Sequence, residues 1–152
     1  MRVSARADYA IRALLELAAA GPDRPVRADA IARAQAIPSK YLENLLLDLR
    51  RARLVASQRG SGGGYRLARA ASAITLADVI RAIDGPLAGV RDEAPEDVAY
   101  PGVAASLRDV WVALRASMRT VLEAVTLADV ASGRLPKTVR RRLRDPGAWS
   151  RR

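Results

Sequence analysis

The sequence predicts a mainly α fold carrying one small β-hairpin, and three observations lead there. Apolar residues recur at helical spacing along most of the chain. Two short strand-like runs, LVASQ at 54–58 and YRLA at 65–68, flank the glycine-rich stretch RGSGGGYR at 59–66. A long apolar seam of heptad spacing then runs from Leu107 to Val125. At 152 residues the chain is one domain of ordinary size, with room for a real core.

Composition removes several functions. Half of the residues are hydrophobic, yet the longest apolar runs fall far short of the roughly 20 residues that a membrane span requires. The first residues, MRVSARADYAIRALLELAAAG, interleave arginines and acids with apolar positions, unlike the uninterrupted apolar block of a secretory signal. The expectation is a soluble, cytoplasmic protein with no membrane partner. Cysteine and histidine are both absent, which excludes disulfides, thiolate-held zinc, ordinary iron–sulfur clusters, imidazole-held haem and Cys/His nucleophiles. An oxygen-only magnesium or calcium site stays open, though no segment has the spacing of an EF-hand loop; otherwise no metal site and no cofactor is expected.

Charge is unevenly laid out. Residues 1–69 hold thirteen basic and six acidic side chains, residues 70–133 hold five and nine, and residues 134–152 hold eight and one. A basic first part, an acidic middle and a basic tail fit a polyanion-binding module joined to a part with another task.

The first segment reads as a helix. Ser4 is a suitable N-cap, Ile11, Leu14, Leu15 and Ala18 form one apolar face, and Gly21-Pro22 end it. After PVRAD, residues Asp29 to Gln35 read as a brief second helix anchored by Ile31. Pro38 is placed to open a third helix, over roughly Ser39 to Ala52. That helix buries Leu42, Leu45, Leu46 and Leu49 and turns Lys40, Glu43, Asn44, Leu47 and Arg51 outward. A short helix, a tight turn and a helix with long hydrogen-bonding side chains make a helix-turn-helix pattern, whose second helix can offer side chains to base edges. An ordinary amphipathic helical hairpin explains these two helices equally well.

The glycine-rich stretch decides between them. A Walker A loop needs Lys-Ser or Lys-Thr after its glycines, and none follows. A dinucleotide fingerprint needs a third glycine where Tyr65 stands. Both motifs also need a helix to begin directly after the loop, where a strand begins instead. A hairpin directly after a helix-turn-helix is a wing, and its glycines let the backbone lie close to DNA. A loose exposed hairpin would explain the glycines but not Arg59 and Arg66 flanking them.

Beyond the wing, Thr75 caps a helix over residues 76–84, with Asp78 three residues on and Gly85-Pro86 ending it. The letters TLADV recur at 126–130, one capping solution used twice. Between them Leu107, Trp111, Leu114, Met118, Val121 and Val125 are spaced 4, 3, 4, 3 and 4, with Val110 and Leu122 widening the seam. The first 69 residues offer little further surface to cover it. The seam is therefore expected to meet its own copy across a two-fold axis, as the interface of a homodimer.

MRVSARADYAIRALLELA, AIPSKYLENLLLDLRRARLV and RGSGGGYRLAR resemble the N-terminal half of the Rrf-two family of bacterial winged-helix transcription regulators, the group of the iron–sulfur and nitric-oxide sensors. ITLADVIRAIDGPL resembles the helix after their wing, and LRDVWVALRASMRTVLEAVTLADVASG their long dimerisation helix and short closing helix. The resemblance covers about residues 1–133, five segments in order and with the right separations. It implies a winged helix-turn-helix over 1–69, a linker helix, acidic loop and dimerisation helices over 70–133, and a basic tail over 134–152. It further implies a sequence-specific regulator, a repressor, binding a palindromic operator in double-stranded DNA as a homodimer. A protein-interaction module on the same fold, controlled by a partner protein, is the alternative. No segment offers paired carboxylates, a nucleophile–base set or a cofactor loop, so an enzyme is not expected.

Residue by residue, the resemblance sets Ser39, Lys40, Tyr41, Glu43 and Asn44 where a recognition helix meets the major groove, with Tyr41 partly structural. Arg59 stands at the position that reaches a narrow A·T-rich minor groove. The backbone of Ser61, Gly62, Gly63 and Gly64, with Tyr65 beside it, would lie along phosphates. Arg2, Ser4 and Arg6 would add contacts that position the protein without reading sequence. Arg50, Arg51 and Arg53 are expected to be solvated or to face phosphates.

In sensing members of the family, the segment matching LAGVRDEAPEDVAYPG at 87–102 carries three cysteines that hold the cluster. Here it carries Asp92, Glu93, Glu96 and Asp97 and no thiol, so no iron–sulfur cluster is expected. Some members add an acidic ligand from the first helix. Asp8 is available for that, but without thiolates it reads as a first-turn residue favourable to the helix dipole. The acidic loop is a candidate site for an unknown small-molecule or protein effector, though a solvated loop accounts for it as well. The tail is expected to be poorly ordered or briefly helical, adding nonspecific attraction to DNA or only solubility.

Overall fold

Seven helices and one hairpin follow each other in the computed structural model, which describes residues 2–151. Helices α1 (Ala5–Ala20), α2 (Ala28–Gln35) and α3 (Ser39–Arg51) come first, then strands β1 (Val55–Gln58) and β2 (Gly64–Leu67). Helices α4 (Leu76–Asp84), α5 (Leu107–Leu122), α6 (Leu127–Ser132) and α7 (Lys137–Leu143) complete the chain. The Ser4 hydroxyl accepts the Ala7 amide at 2.9 Å and starts α1, as its position in the sequence predicts. Pro38 opens α3 as its N-cap, and the helix begins at Ser39, the residue that the sequence predicts.

Helix α1 is the element that the others share. Its inward face is Ala7, Ala10, Ala13, Leu14 and Leu17, all buried. Small side chains at helical spacing let neighbours approach closely, and α2, α3, β2, α4 and α6 all pack on it. Leu42, Leu45, Leu46 and Leu49 of α3 enter the same core together with Ile31, Leu54, Ile74, Val79 and Leu127.

The wing is antiparallel, with Val55 opposite Leu67 and Gln58 opposite Gly64. Val26, before α2, adds a third short edge by exchanging two 2.8 Å backbone hydrogen bonds with Tyr65. This pairing and the tight hairpin turn explain two of the glycines without reference to any ligand. Gly64 has φ +148°, and a Cβ there would lie 2.6 Å from the Val26 carbonyl oxygen. A Cβ on Gly63 would lie 2.2 Å from the carbonyl oxygen of Gln58. Gly62 has open space around it.

The repeated TLADV letters meet in space. Thr75 and Thr126 form an antiparallel bridge in which the Leu76 amide donates to Val125 (2.9 Å) and the Leu127 amide donates to Ile74 (3.0 Å). Each threonine then opens a helix through a full capping box, with Asp78 in one case and Asp129 in the other. Hydrogen bonds from the Thr126 amide, and then from its hydroxyl, hold the Asp129 carboxyl below the usual range. The bridge corrects the seam read from the sequence. Helix α5 stops at Leu122, and Val125 is buried inside its own chain, so the exposed seam ends at Val121.

Gly64→Ala is expected to lower stability by about 1–3 kcal/mol, through positive φ and the collision with Val26, while Gly62→Ala changes it by less than about 0.5 kcal/mol. Urea midpoints at one protein concentration and equal m-values compare the two.

Candidate nucleic-acid interface

The start of α2, the outward face of α3 and the wing converge on one surface. The groove between them has a volume of about 460 Å3 and is lined by Arg27, Ala28, Asp29, Glu43, Gln58, Gly60, Gly63, Gly64 and Tyr65. The leucines of α3 face the core, so helical geometry turns Lys40, Glu43, Asn44 and Leu47 toward solvent. Leu47 is 44% exposed. Lys40 and Glu43 lie 3.6 Å apart as an exposed ion pair, so neither charge is isolated before a partner arrives.

Several of the expected residues turn out to hold the fold. Tyr41 is half-buried, its ring edge-on to Tyr9 with centroids 5.5 Å apart, which braces the start of α3 against α1. Arg6 donates to Asp48 at 2.8 Å and ties α1 to α3, while Arg51 approaches the same carboxylate at 3.7 Å. The Ser4 hydroxyl is used by its own helix cap, and Arg2 lies exposed just before that helix. Ser39 is exposed at the first turn of α3.

At the wing tip Arg59, Ser61 and Gly62 are exposed, Gly63 is buried, and Gly64 and Tyr65 are partly covered. Tyr65 packs against the core while its backbone pairs with Val26. Arg50 donates to the Ser57 hydroxyl at 3.3 Å, linking the end of α3 to β1.

Sequence reasoning passed over the start of α2. Its N-cap, Arg27, makes no side-chain cap, and with the Ala30 amide bonded to the Arg27 carbonyl at 3.0 Å, the Ala28 and Asp29 amides are left beside the groove for an anion. The Asp29 carboxyl is partly desolvated, which would raise it, but Arg33 and Arg27 outweigh this and hold it low. The signal was present: VRAD enters a helix with a basic residue where Ser, Thr, Asn or Asp would cap it. Gln58, last of β1, was missed because strand ends carry no chemical motif.

Helix α5 has no buried residue. Leu107 and Val110 are 40% and 53% exposed, while Trp111, Leu114, Met118 and Val121 are half-buried. The Trp111 indole donates to the Tyr100 hydroxyl at 3.0 Å. Loop 87–102 meets α5 at a cavity of about 220 Å3 lined by Ala88, Gly89, Val90, Trp111 and Leu114. Glu96 from this loop pairs with Arg115 at 2.6 Å, and that hydrogen bond holds its carboxyl low. Asp92, Glu93 and Asp97 are exposed. No helix among the described residues is long and apolar enough to cross a membrane.

Comparison with known proteins agrees with this arrangement. The family model Rrf2, described as an iron-dependent transcriptional regulator, matches residues 3–133. Rv1287 of Mycobacterium tuberculosis, which carries the name of an HTH-type transcriptional regulator, is 55% identical over 139 residues, covering 91% of this chain and 86% of that protein. The HTH-type transcriptional regulator CymR of Bacillus subtilis is 35% identical over 132 residues, covering 87% and 91%. The solved structure of B. subtilis CymR, the global cysteine regulator, superposes with a TM-score of 0.75 at 33% identity, covering 88% of this chain and 98% of that one. The IscR structure from T. potens gives 0.70 at 33% identity, covering 88% of each.

The iron in the family's description is not matched by the donors of this chain. It contains no thiolate and no imidazole, and Glu96 and Asp8 are engaged by Arg115 and Arg12. Among the described residues no three potential ligands come together. These side chains do not fit an iron–sulfur group. The fold, the wing and the match across residues 3–133 nevertheless agree, and the chain belongs to the Rrf2 (Rrf-two) family, whose members are transcriptional regulators and not enzymes.

Proposed function

We propose that this regulator is a cytoplasmic repressor that reads a palindromic operator as a homodimer, without an iron–sulfur cluster. One observation carries the reading: Glu43 of α3 lines the groove between the start of α2 and the arginine-flanked wing, with Lys40 and Asn44 exposed beside it on the same helix. In the complex Lys40 leaves Glu43 for a phosphate or a guanine edge, Glu43 accepts from cytosine, and Asn44 reads adenine. Arg59 enters the adjacent minor groove, and the exposed tip at Ser61 and Gly62 follows the phosphates. Arg2 adds a phosphate contact, as do the amides at the start of α2.

The apolar stripe of α5 from Leu107 to Val121 meets its copy, so that residues 1–69 read DNA and residues 70–133 assemble the dimer. The mode is repression, by occupying DNA that polymerase needs. An effector acts at loop 87–102, because Glu96–Arg115 and the cavity at Trp111 join that loop directly to the dimerisation helix.

Glu43→Ala or Asn44→Ala is expected to change base preference by about 1–3 kcal/mol at one base pair. Arg59→Ala weakens A·T-containing sites most. Affinities for operator and scrambled duplexes test this; equal losses on both for all three variants would reduce the protein to a nonspecific binder.

Leu114→Glu and Met118→Glu are each expected to yield monomer and abolish tight operator binding together, with operator half-sites about 34 Å apart or a multiple of that. Sedimentation checks it, and a wild-type monomer at micromolar concentration contradicts the palindrome.

Protein purified without oxygen is expected to lack the visible absorption of an iron–sulfur cluster, because no thiolate or imidazole is available. Stoichiometric iron and sulfide would overturn that.

A further inference from the structure

Four of the five arginines between residues 70 and 133 are paired with carboxylates. Arg81 and Arg119 share Glu123, Arg115 pairs with Glu96, and Arg108 with Asp109. Helix α7 is built differently. Lys137, Arg140, Arg141 and Arg144 fall at i, i+3, i+4 and i+7, so they form one stripe, and with Thr138 they line a surface cavity of about 490 Å3. Among the described residues none of the four makes an ion pair.

The stripe is presented by an ordered element. Helix α7 packs on α5, Val139 and Leu135 are half-buried, and the Trp149 indole donates to the Leu143 carbonyl at 2.8 Å, closing the helix end. The tail's single acid, Asp145, accepts from the Gly147 amide at 2.8 Å and caps the following turn. The segment lies beyond residues 3–133, so the family match does not account for it.

Four unpaired cations along about 10 Å of helix fit a surface that carries one negative charge per about 1.7 Å, which is duplex DNA. Guanidinium forks suit phosphate oxygens, and the stripe holds no Asn or Gln to read adenine and no carboxylate to read cytosine. We propose that this face of α7 is a second, sequence-independent phosphate-binding surface, which engages duplex flanking the operator. The inference rests on the DNA-binding reading above but uses none of its residues.

The test compares wild type with the variant Lys137→Gln/Arg140→Gln/Arg141→Gln/Arg144→Gln on a duplex whose flanks extend a helical turn beyond the operator on each side. Four lost contacts on each protomer of the homodimer are expected to reduce the slope of log affinity against log salt by about 7, so that between 50 and 200 mM salt the variant loses roughly 10,000-fold less affinity than wild type. The preference for operator over scrambled sequence stays unchanged. Arg140→Lys/Arg141→Lys/Arg144→Lys keeps the slope, which ties the effect to charge and not to folding. A quadruple variant with the wild-type slope overturns the proposal. So does an unchanged DNA slope accompanied by lost binding to phosphatidylglycerol vesicles, which would make this a lipid surface. A wild-type protein with no operator preference sinks the repressor reading alone, since the change in slope is measurable on any duplex.

Discussion

Two short stretches of identical sequence, lying antiparallel, fasten the halves of the chain together, and the geometry of everything else follows from that junction. At the Thr75–Thr126 bridge, backbone groups deep in the core are satisfied by each other, while each threonine and its aspartate satisfy the first amides of the next helix. Ile74 and Leu127 are fully buried beside it. Just before the junction, hydrogen bonds from Arg81 and then Arg119 hold the Glu123 carboxyl low, so an exposed ion-pair network also links α4 to the end of α5. The direction in which α5 leaves the core is therefore fixed relative to α1, and with it the relation of any two-fold axis to the recognition surface.

The same rigidity holds at the other side of α1. The turn between α2 and α3 puts Ala36 at φ +51°, a conformation that costs a non-glycine residue about 1–2 kcal/mol. Neighbouring contacts hold it there. Arg12 donates to both the side chain and the carbonyl of Gln35, Gln35 donates onward to Glu16, and the Ile37 amide returns to Ala32 at 3.0 Å. Asp8, paired with Arg12 at 3.2 Å, belongs to this latch. A recognition helix set at its start by Tyr9–Tyr41 and near its end by Arg6–Asp48 has little freedom to swing. Differences in affinity between DNA sequences then arise from side chains and DNA shape, not from reorienting the helix.

What was legible in the sequence was local chemistry with a short range. Ser4, Thr75 and Thr126 marked helix starts because a cap is decided within three residues, and the leucines of α3 marked its buried face because helical period is intrinsic. What was hidden depended on residues far apart in the chain. Val125 has the right spacing for the seam, but pairing with Leu76 draws it into the core. Gly63 and Gly64 read as freedom to approach DNA, while Gly64 is required by Val26, nearly forty positions earlier. Tyr41 and Arg6 have the chemistry of DNA contacts, but Tyr9 and Asp48 hold them. Residue type states what a side chain can do, and the fold decides which partner reaches it first.

Charge is where these constraints meet. Among the described residues no charged side chain is buried, so every ion pair is exposed to screening and contributes little stability on its own. The pairs act instead by removing charge from selected places. They neutralise Arg81, Arg108, Arg115 and Arg119 in the middle of the chain and Arg6, Arg12, Arg27, Arg33, Lys40 and Arg51 before it, and leave Arg59 and Arg66 on the wing and the stripe on α7 open. A net charge of +10 on 152 residues works against a compact state through self-repulsion. Splitting that charge between two surfaces limits the repulsion within each. Both surfaces then present to a polyanion the charge that the fold does not use, so the feature least favourable to the isolated chain is what gives it long-range attraction to DNA.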